Sequence, residues 1–273
     1  MHLDFIKIYF ADSLVEQLDC SFFKRTYLMK GDRMINHQEL VNEITQELYI
    51  DNNVSALILY GSVSRHEESA NSDIDLLAIT NEMHLQKRHT VRYGITVEFV
   101  EMNLYFLQKF IDENEIPMLF ALADGIVLFD KISVTGQLIA KAKKILEDGP
   151  PTNTRWENEG YKTKKRSDLT EIYNDLLDVD DEVTFNYIAS LLISNAIPLL
   201  IENNNLWYQT RKKMINYLKS QCFDGYKYIE TLLNSGCSLP EKRGAAKNLI
   251  EYVLKSHGGI LKGDAIIFRK NNI

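Results

Sequence analysis

The sequence predicts an α+β fold: a small mixed sheet with flanking helices, followed by an all-α helical bundle. Three observations carry this reading. Two short apolar runs rich in branched residues, 54–60 and 74–80, have the length and composition of buried strands. A Gly149-Pro150-Pro151 step stops a helical pattern and stiffens the chain behind it. Beyond that step almost every segment repeats with helical periodicity. The chain therefore divides into residues 1–148, with an N-terminal extension over 1–36, and residues 153–273.

Each element has its own signal. Leu40, Val41, Ile44 and Leu48 lie on one face of a helix over 37–50, and Asn52-Asn53 turns the chain into the strand 54–60. The run 74–80 is a second strand. The region 90–102 is a third, and Gly94 can divide it into a hairpin. Helices are expected over 103–113, over 118–124 before Gly125, and over 137–146, with a short strand over 126–129. The bundle takes helices over 154–177, 182–202, 209–221, 226–234 and 241–255. The tail segment AIIF, 265–268, reads as a strand or an anchor.

Composition narrows the function classes. Of 273 residues, 45% are hydrophobic and 25% charged, as in an ordinary globular protein with a sizeable core. The net charge of −7 gives no electrostatic footprint for nucleic acid. Cys20, Cys222 and Cys237 form no CxxC pair and no disulfide framework, which suggests reduced thiols and a cytoplasmic setting. The N-terminal stretch carries Asp4 and Asp12 and lacks the plan of a secretory signal. The most apolar segment, 187–201, is shorter than a bilayer requires and reads as a core helix, so no membrane partner is expected.

The stretch LYGSVSRHEESANSDID, 59–75, carries the chemistry. Side chains alternate along a strand, so Asp73 and Asp75 share one face while Ile74 and Leu76 take the other. Two carboxylates at the mouth of a buried strand are costly unless paired, and a hard divalent cation pairs them. Gly61 permits a sharp turn or the close approach of a ligand, and Ser62 reads as the N-cap of a short helix over 63–68. Amides at such a turn, the Ser62 hydroxyl and Arg65 are candidate phosphate donors. A third carboxylate is needed to complete a two-metal site. Glu98 and Glu101 are the candidates, three apart and on opposite faces. Glu98, framed by Val97, Phe99 and Val100, is favoured.

Gly61-Ser62, then Ser72-Asp73-Ile74-Asp75-Leu76, then a carboxylate on a later strand, resembles the polymerase-β-type nucleotidyltransferase superfamily, whose minimal branch includes antibiotic nucleotidyltransferases and nucleotidyltransferase antitoxins. The resemblance covers about 36–146. It implies that Gly61 and Ser62, with Arg65, hold the triphosphate of an NTP, here ATP. It implies that Asp73 and Asp75 hold two Mg²⁺ ions, and that Glu98 holds the catalytic metal or acts as base. Many members have glycine where this chain has His66. A helical second domain is usual in such enzymes and helps to close over the acceptor.

The expected activity is transfer of AMP to a hydroxyl of a small-molecule acceptor, such as an aminoglycoside-like antibiotic. Two alternatives stand beside it. One is an antitoxin-like enzyme that nucleotidylates a protein. The other is a catalytically silent, nucleotide-binding regulator. The cations of YKTKKR, 161–166, and Arg211-Lys212-Lys213 have two readings, a solvated helix face or a reach toward the triphosphate. Trp156 and Trp207 read as packing anchors. Arg65 can equally pair with Glu67 or Glu68.

Overall fold

In a computed structural model, which describes residues 35–262, a five-stranded sheet comes first and a set of helices second. Helix α1 (His37–Tyr49) opens with a capping box: the Asn36 side chain accepts from the Glu39 amide, and the Glu39 carboxylate accepts from the Asn36 amide. Then follow β1 (Val54–Tyr60), the single helical turn α2 (Gly61–Ser64), β2 (Ile74–Thr80), β3 (Leu85–Arg92) and β4 (Ile95–Asn103). Helices α3 (Leu104–Asp112) and α4 (Ile116–Ala123), strand β5 (Ile126–Asp130) and helix α5 (Thr135–Asp148) complete this half.

The sheet order is β3-β4-β2-β1-β5. β2 and β4 are parallel, and the other three pairings are antiparallel. Strand parity sorts the two faces. Leu57, Leu59, Ile74, Leu76, Val97 and Phe99 pack with α1. Ala56, Ile58, Leu77, Ile79, Val100 and Met102 pack with α3, α4 and α5. The second face is the one that carries the candidate site.

The hairpin confirms the dividing role of Gly94, with one change. The first arm begins at Leu85, five residues before the expected start, and runs as an exposed edge beside β4. Its polar LQKRH has no apolar alternation because neither face of this stretch is deeply buried. Tyr93 and Gly94 both have positive φ, 53° and 80°, between the paired Arg92 and Ile95. That is the geometry of a two-residue type I′ turn. Helix α4 starts at Ile116, earlier than expected, with Pro117 in its first turn.

Helix α5 ends at Asp148, Gly149 takes φ 85°, and residues 150–153 connect onward without helix or strand. The expected helix over 154–177 is two pieces, a 3₁₀ turn (Thr154–Glu157) and α6 (Glu159–Asp178). Asn158 separates them with extended backbone, and its side chain accepts from the Tyr161 amide, so it caps the second piece. Then come α7 (Glu182–Asn203), α8 (Arg211–Gln221), α9 (Phe223–Leu233) and α10 (Leu239–Leu254). Their core includes Leu169, Phe185, Leu192, Leu200, Ile229, Leu249 and Val253.

Helix α7 has 22 residues, more than the apolar run 187–201 suggests. By length and composition alone it is long and apolar enough to cross a membrane. Phe185, Ala189, Leu192, Ala196 and Leu199 on it are buried in the bundle core. Arg166 of α6 donates to the carbonyls of Gly258 and Gly259, while Lys162 and Lys164 pair with Glu159 and Asp168. These cations of YKTKKR thus serve contacts within the helical half. The N-terminal extension, Cys20 and the AIIF segment lie outside the described residues.

The two halves touch at defined points. Trp207 sits in the core of the sheet half, 8% exposed, and its indole donates to the Leu146 carbonyl at 3.0 Å. Within the helical half, Trp156 donates to Glu202 at 2.9 Å and stacks on His257 at 3.6 Å between ring centroids. Lys213 at the start of α8 lies 3.9 Å from the Glu67 carboxylate, behind α2.

Candidate active site

The site forms where β1 and β2 meet β4. Tyr60 pairs with Asp75 across the β1–β2 ladder, and Asp75 pairs with Glu98 across the parallel β2–β4 ladder. Residues directly opposite each other share a face. Tyr60, Asp75 and Glu98 therefore point to the same side, and Asp73, two residues before Asp75, joins them. Each of Asp73, Asp75 and Glu98 offers a carboxylate oxygen, and these atoms lie within 4.8 Å of one another. All three residues are half-buried.

Gly61 closes the wall. Its φ is 78°, and a Cβ on it would sit 1.9 Å from Asp75 Oδ2. Only glycine fits this position, both for the backbone and for the approach of the aspartate. Ser62 is the second residue of the α2 turn rather than its cap. The cap position falls on Tyr60, which makes no side-chain cap bond. The turn starts earlier than expected because the positive φ of Gly61 reverses the chain at once. Beyond it, the Glu67 amide returns to the Ser62 carbonyl at 3.0 Å, and His66 adopts φ 56°. His66 thus holds the left-handed conformation that glycine would adopt easily.

The loop before Asp73 is tied down. Ser72 Oγ accepts from the Ser69 amide at 2.9 Å, and the Ser72 carbonyl lies 2.8 Å from His37 Nε2 on α1. Arg65 bridges Glu67 at 2.8 Å and Asp124, just past α4, at 3.2 Å. The structure thus makes the Arg65–Glu67 pair, and it adds a partner in Asp124 that the sequence did not indicate.

The choice between Glu98 and Glu101 becomes clear from the register. Arg88 grips Glu101 at 2.8 and 2.7 Å, and Gln86 also donates to it. Arg88 lies over the Phe99 ring as well, on the face shared with α1. Glu101 is consumed in that structural cluster. Glu98 faces the aspartates and is 14% exposed. Lys87 Nζ reaches its Oε1 at 2.9 Å, His89 Nε2 lies 3.7 Å from its Oε2, and the Tyr60 hydroxyl donates to it at 3.5 Å.

Electrostatics mark the cluster. Burial first, then the charges of Asp73 and Glu98, push the Asp75 carboxyl up to about 7. Burial and the same acids push the Tyr60 hydroxyl above its ordinary value. A carboxyl held that far up by burial and by neighbouring acids is one whose charged form a divalent cation would stabilise. The oxygen-only donor set suits a hard cation such as Mg²⁺. Asp73, Asp75 and Glu98 fit that role by residue type and by spacing.

Residues 42–134 match the family model described as Polymerase beta, Nucleotidyltransferase. Over this stretch, about a third of the chain, the sequence is similar to polymerase-β-type nucleotidyltransferase domains. The match takes in Gly61, Ser62, Arg65, Asp73, Asp75 and Glu98, and it ends just before α5. Families with this domain carry out nucleotidyl transfer. The chain is also similar to a solved nucleotidyltransferase-like protein from Exiguobacterium sibiricum 255-15, at 15% identity and a TM-score of 0.43, over 81% of this chain and 75% of that one. No curated protein matches the chain.

The region around the site contains four contributors that sequence reasoning missed. Tyr60 lies under the acids, Lys87 and His89 flank Glu98, and Asp124 holds Arg65. The edge-strand pairing that brings Lys87 and His89 to Glu98 was the missing signal. With β3 taken to begin at residue 90, both fell outside any strand. A separate cavity of about 390 Å³ lies between the halves, lined by Pro150, Arg155, Glu202, Trp207 and Tyr208. It also touches Ile116, the first residue of α4. Arg65 pairs with Asp124 at the other end of that helix, about 12 Å along its axis. The cavity is therefore not the carboxylate site.

Proposed function

We propose that the protein transfers the nucleoside monophosphate of an NTP, AMP from ATP, to a hydroxyl of a small-molecule acceptor. The observation that carries this reading is the convergence of Asp73, Asp75 and Glu98 beside Gly61, in a domain of the nucleotidyltransferase type. The three carboxylates would hold Mg²⁺. Bound there, the cation supplies charge neutralisation for the triphosphate and for the departing pyrophosphate.

The chain's own groups do the rest. Gly61, lacking a side chain, lets the triphosphate approach the backbone, and Ser62 offers its hydroxyl. Arg65 and Lys213, which share Glu67, supply positive charge on the phosphate side. Glu98 orients the acceptor hydroxyl and takes its proton. The acceptor oxygen forms a bond to the α-phosphorus as the bond from that phosphorus to the bridging oxygen breaks, and pyrophosphate leaves with the electron pair. Residues through Asp148 form the catalytic unit, and the helical half from residue 153 onward covers the acceptor side. The net charge of −7 favours a cationic acceptor such as an aminoglycoside.

The test is a panel of hydroxylated acceptors with α-labelled ATP and Mg²⁺, read as label transfer and pyrophosphate release. Asp73→Ala and Asp75→Ala should each lower turnover about a hundredfold or more, because several kcal/mol of charge stabilisation would be lost. Turnover that survives both substitutions would overturn the assignment. ATP binding with no transfer to any acceptor would favour the silent regulator, and label on a protein would favour the antitoxin-like enzyme.

A further inference from the structure

Glu98 carries a cation of the chain's own. β3 is the edge strand, and its register against β4 sets His89 opposite Glu98 and Lys87 opposite Val100. Lys87 and His89 therefore project on the face of the carboxylate cluster, while Gln86 and Arg88 project on the face of Glu101. The contacts follow this division. Arg88 and Gln86 saturate Glu101, and Lys87 Nζ reaches Glu98 Oε1 at 2.9 Å. An edge lysine that served only to block strand addition would point into solvent. Lys87 instead spends its charge on an acid that belongs to the three-carboxylate cluster.

We propose that Lys87 is a positioning residue for the third carboxylate: it acts as a tethered counter-cation of Glu98, with which any divalent ion must compete. The inference rests on the metal-binding reading above. The ammonium supplies one positive charge where a divalent ion supplies two, and both draw on the same carboxylate. Lys87 therefore neutralises and fixes the Glu98 carboxylate in the metal-free protein and raises the metal concentration needed to fill the site. The flexible four-carbon stem, 37% exposed, lets the ammonium swing away when a divalent ion takes its place.

The experiment measures Mn²⁺ binding to the nucleotide-free full chain by electron paramagnetic resonance of free Mn²⁺, at pH 8, above the Asp75 value. Lys87→Met, with Lys87→Gln as a second neutral variant, should bind Mn²⁺ about two- to fivefold more tightly than wild type, the scale of a partly exposed ion pair. Lys87→Arg should stay close to wild type. In a Glu98→Gln background the Lys87→Met change should no longer tighten binding, because the competition acts through that carboxylate. Unchanged or weaker Mn²⁺ affinity in both neutral variants would overturn the proposal, as would equal tightening in the Glu98→Gln background. Asp73→Ala separates the two levels of the account. If it abolishes Mn²⁺ binding while the neutral variants match wild type, the Lys87 inference alone fails. If wild type binds no Mn²⁺ at all, both fail.

Discussion

Gly61 meets two constraints at once. Its φ of 78° is strained for any residue with a Cβ, and that Cβ would collide with Asp75 at 1.9 Å. The left-handed backbone alone costs a non-glycine residue about 1–2 kcal/mol. Gly61→Ala should therefore destabilise the protein by at least about that much, and it should also weaken Mn²⁺ binding, because Asp75 has to move. Chemical denaturation and Mn²⁺ titration together check this, and an alanine variant with wild-type values for both would contradict it. Asp75 itself sets a pH dependence. Its carboxyl is pushed from its ordinary 3.8 up to about 7, so the folded metal-free protein holds the extra proton across that window. Stability from this group is greatest below about 4 and declines as pH rises toward 7. Divalent-cation affinity should run the other way, rising with pH until about 7, because binding must expel that proton. Calorimetric titration in buffers of different ionisation enthalpy at pH 6 and pH 8 would show proton release at the first and little at the second.

Among the elements, the central strands were the most legible. β1 and β2 are buried on both faces, so they read as unbroken apolar runs, and their observed ends match the expected ones. Glu98 was legible because a carboxylate within an apolar strand stands out, and the period of two separated it from Glu101. β3 was half hidden, since an edge strand has no buried face to print an alternation into the sequence. Lys87 and His89 were hidden with it, because their meaning depends on cross-strand register. The break at Asn158 was obscured for a different reason. The helical pattern continues through it, and the interruption is made by a side-chain cap. His66 is a case of local chemistry overridden: the backbone takes the left-handed conformation although the residue is not glycine.

At the scale of the whole molecule, the sheet and the helices have separate cores, pinned together by Trp207 and linked near the site by Lys213 and Glu67. Lys213, in the first turn of α8, reaches Glu67, which also pairs with Arg65. The central claim is that Asp73, Asp75 and Glu98 form one divalent-cation site that serves an NTP held at Gly61-Ser62. A crystal grown with Mn²⁺ and a non-hydrolysable ATP analogue tests it most directly through anomalous scattering. The account predicts a Mn²⁺ peak bounded by all three carboxylates, with the triphosphate against Gly61. A peak elsewhere, or a nucleotide seated in the cavity beside Trp207 and Tyr208, would contradict it.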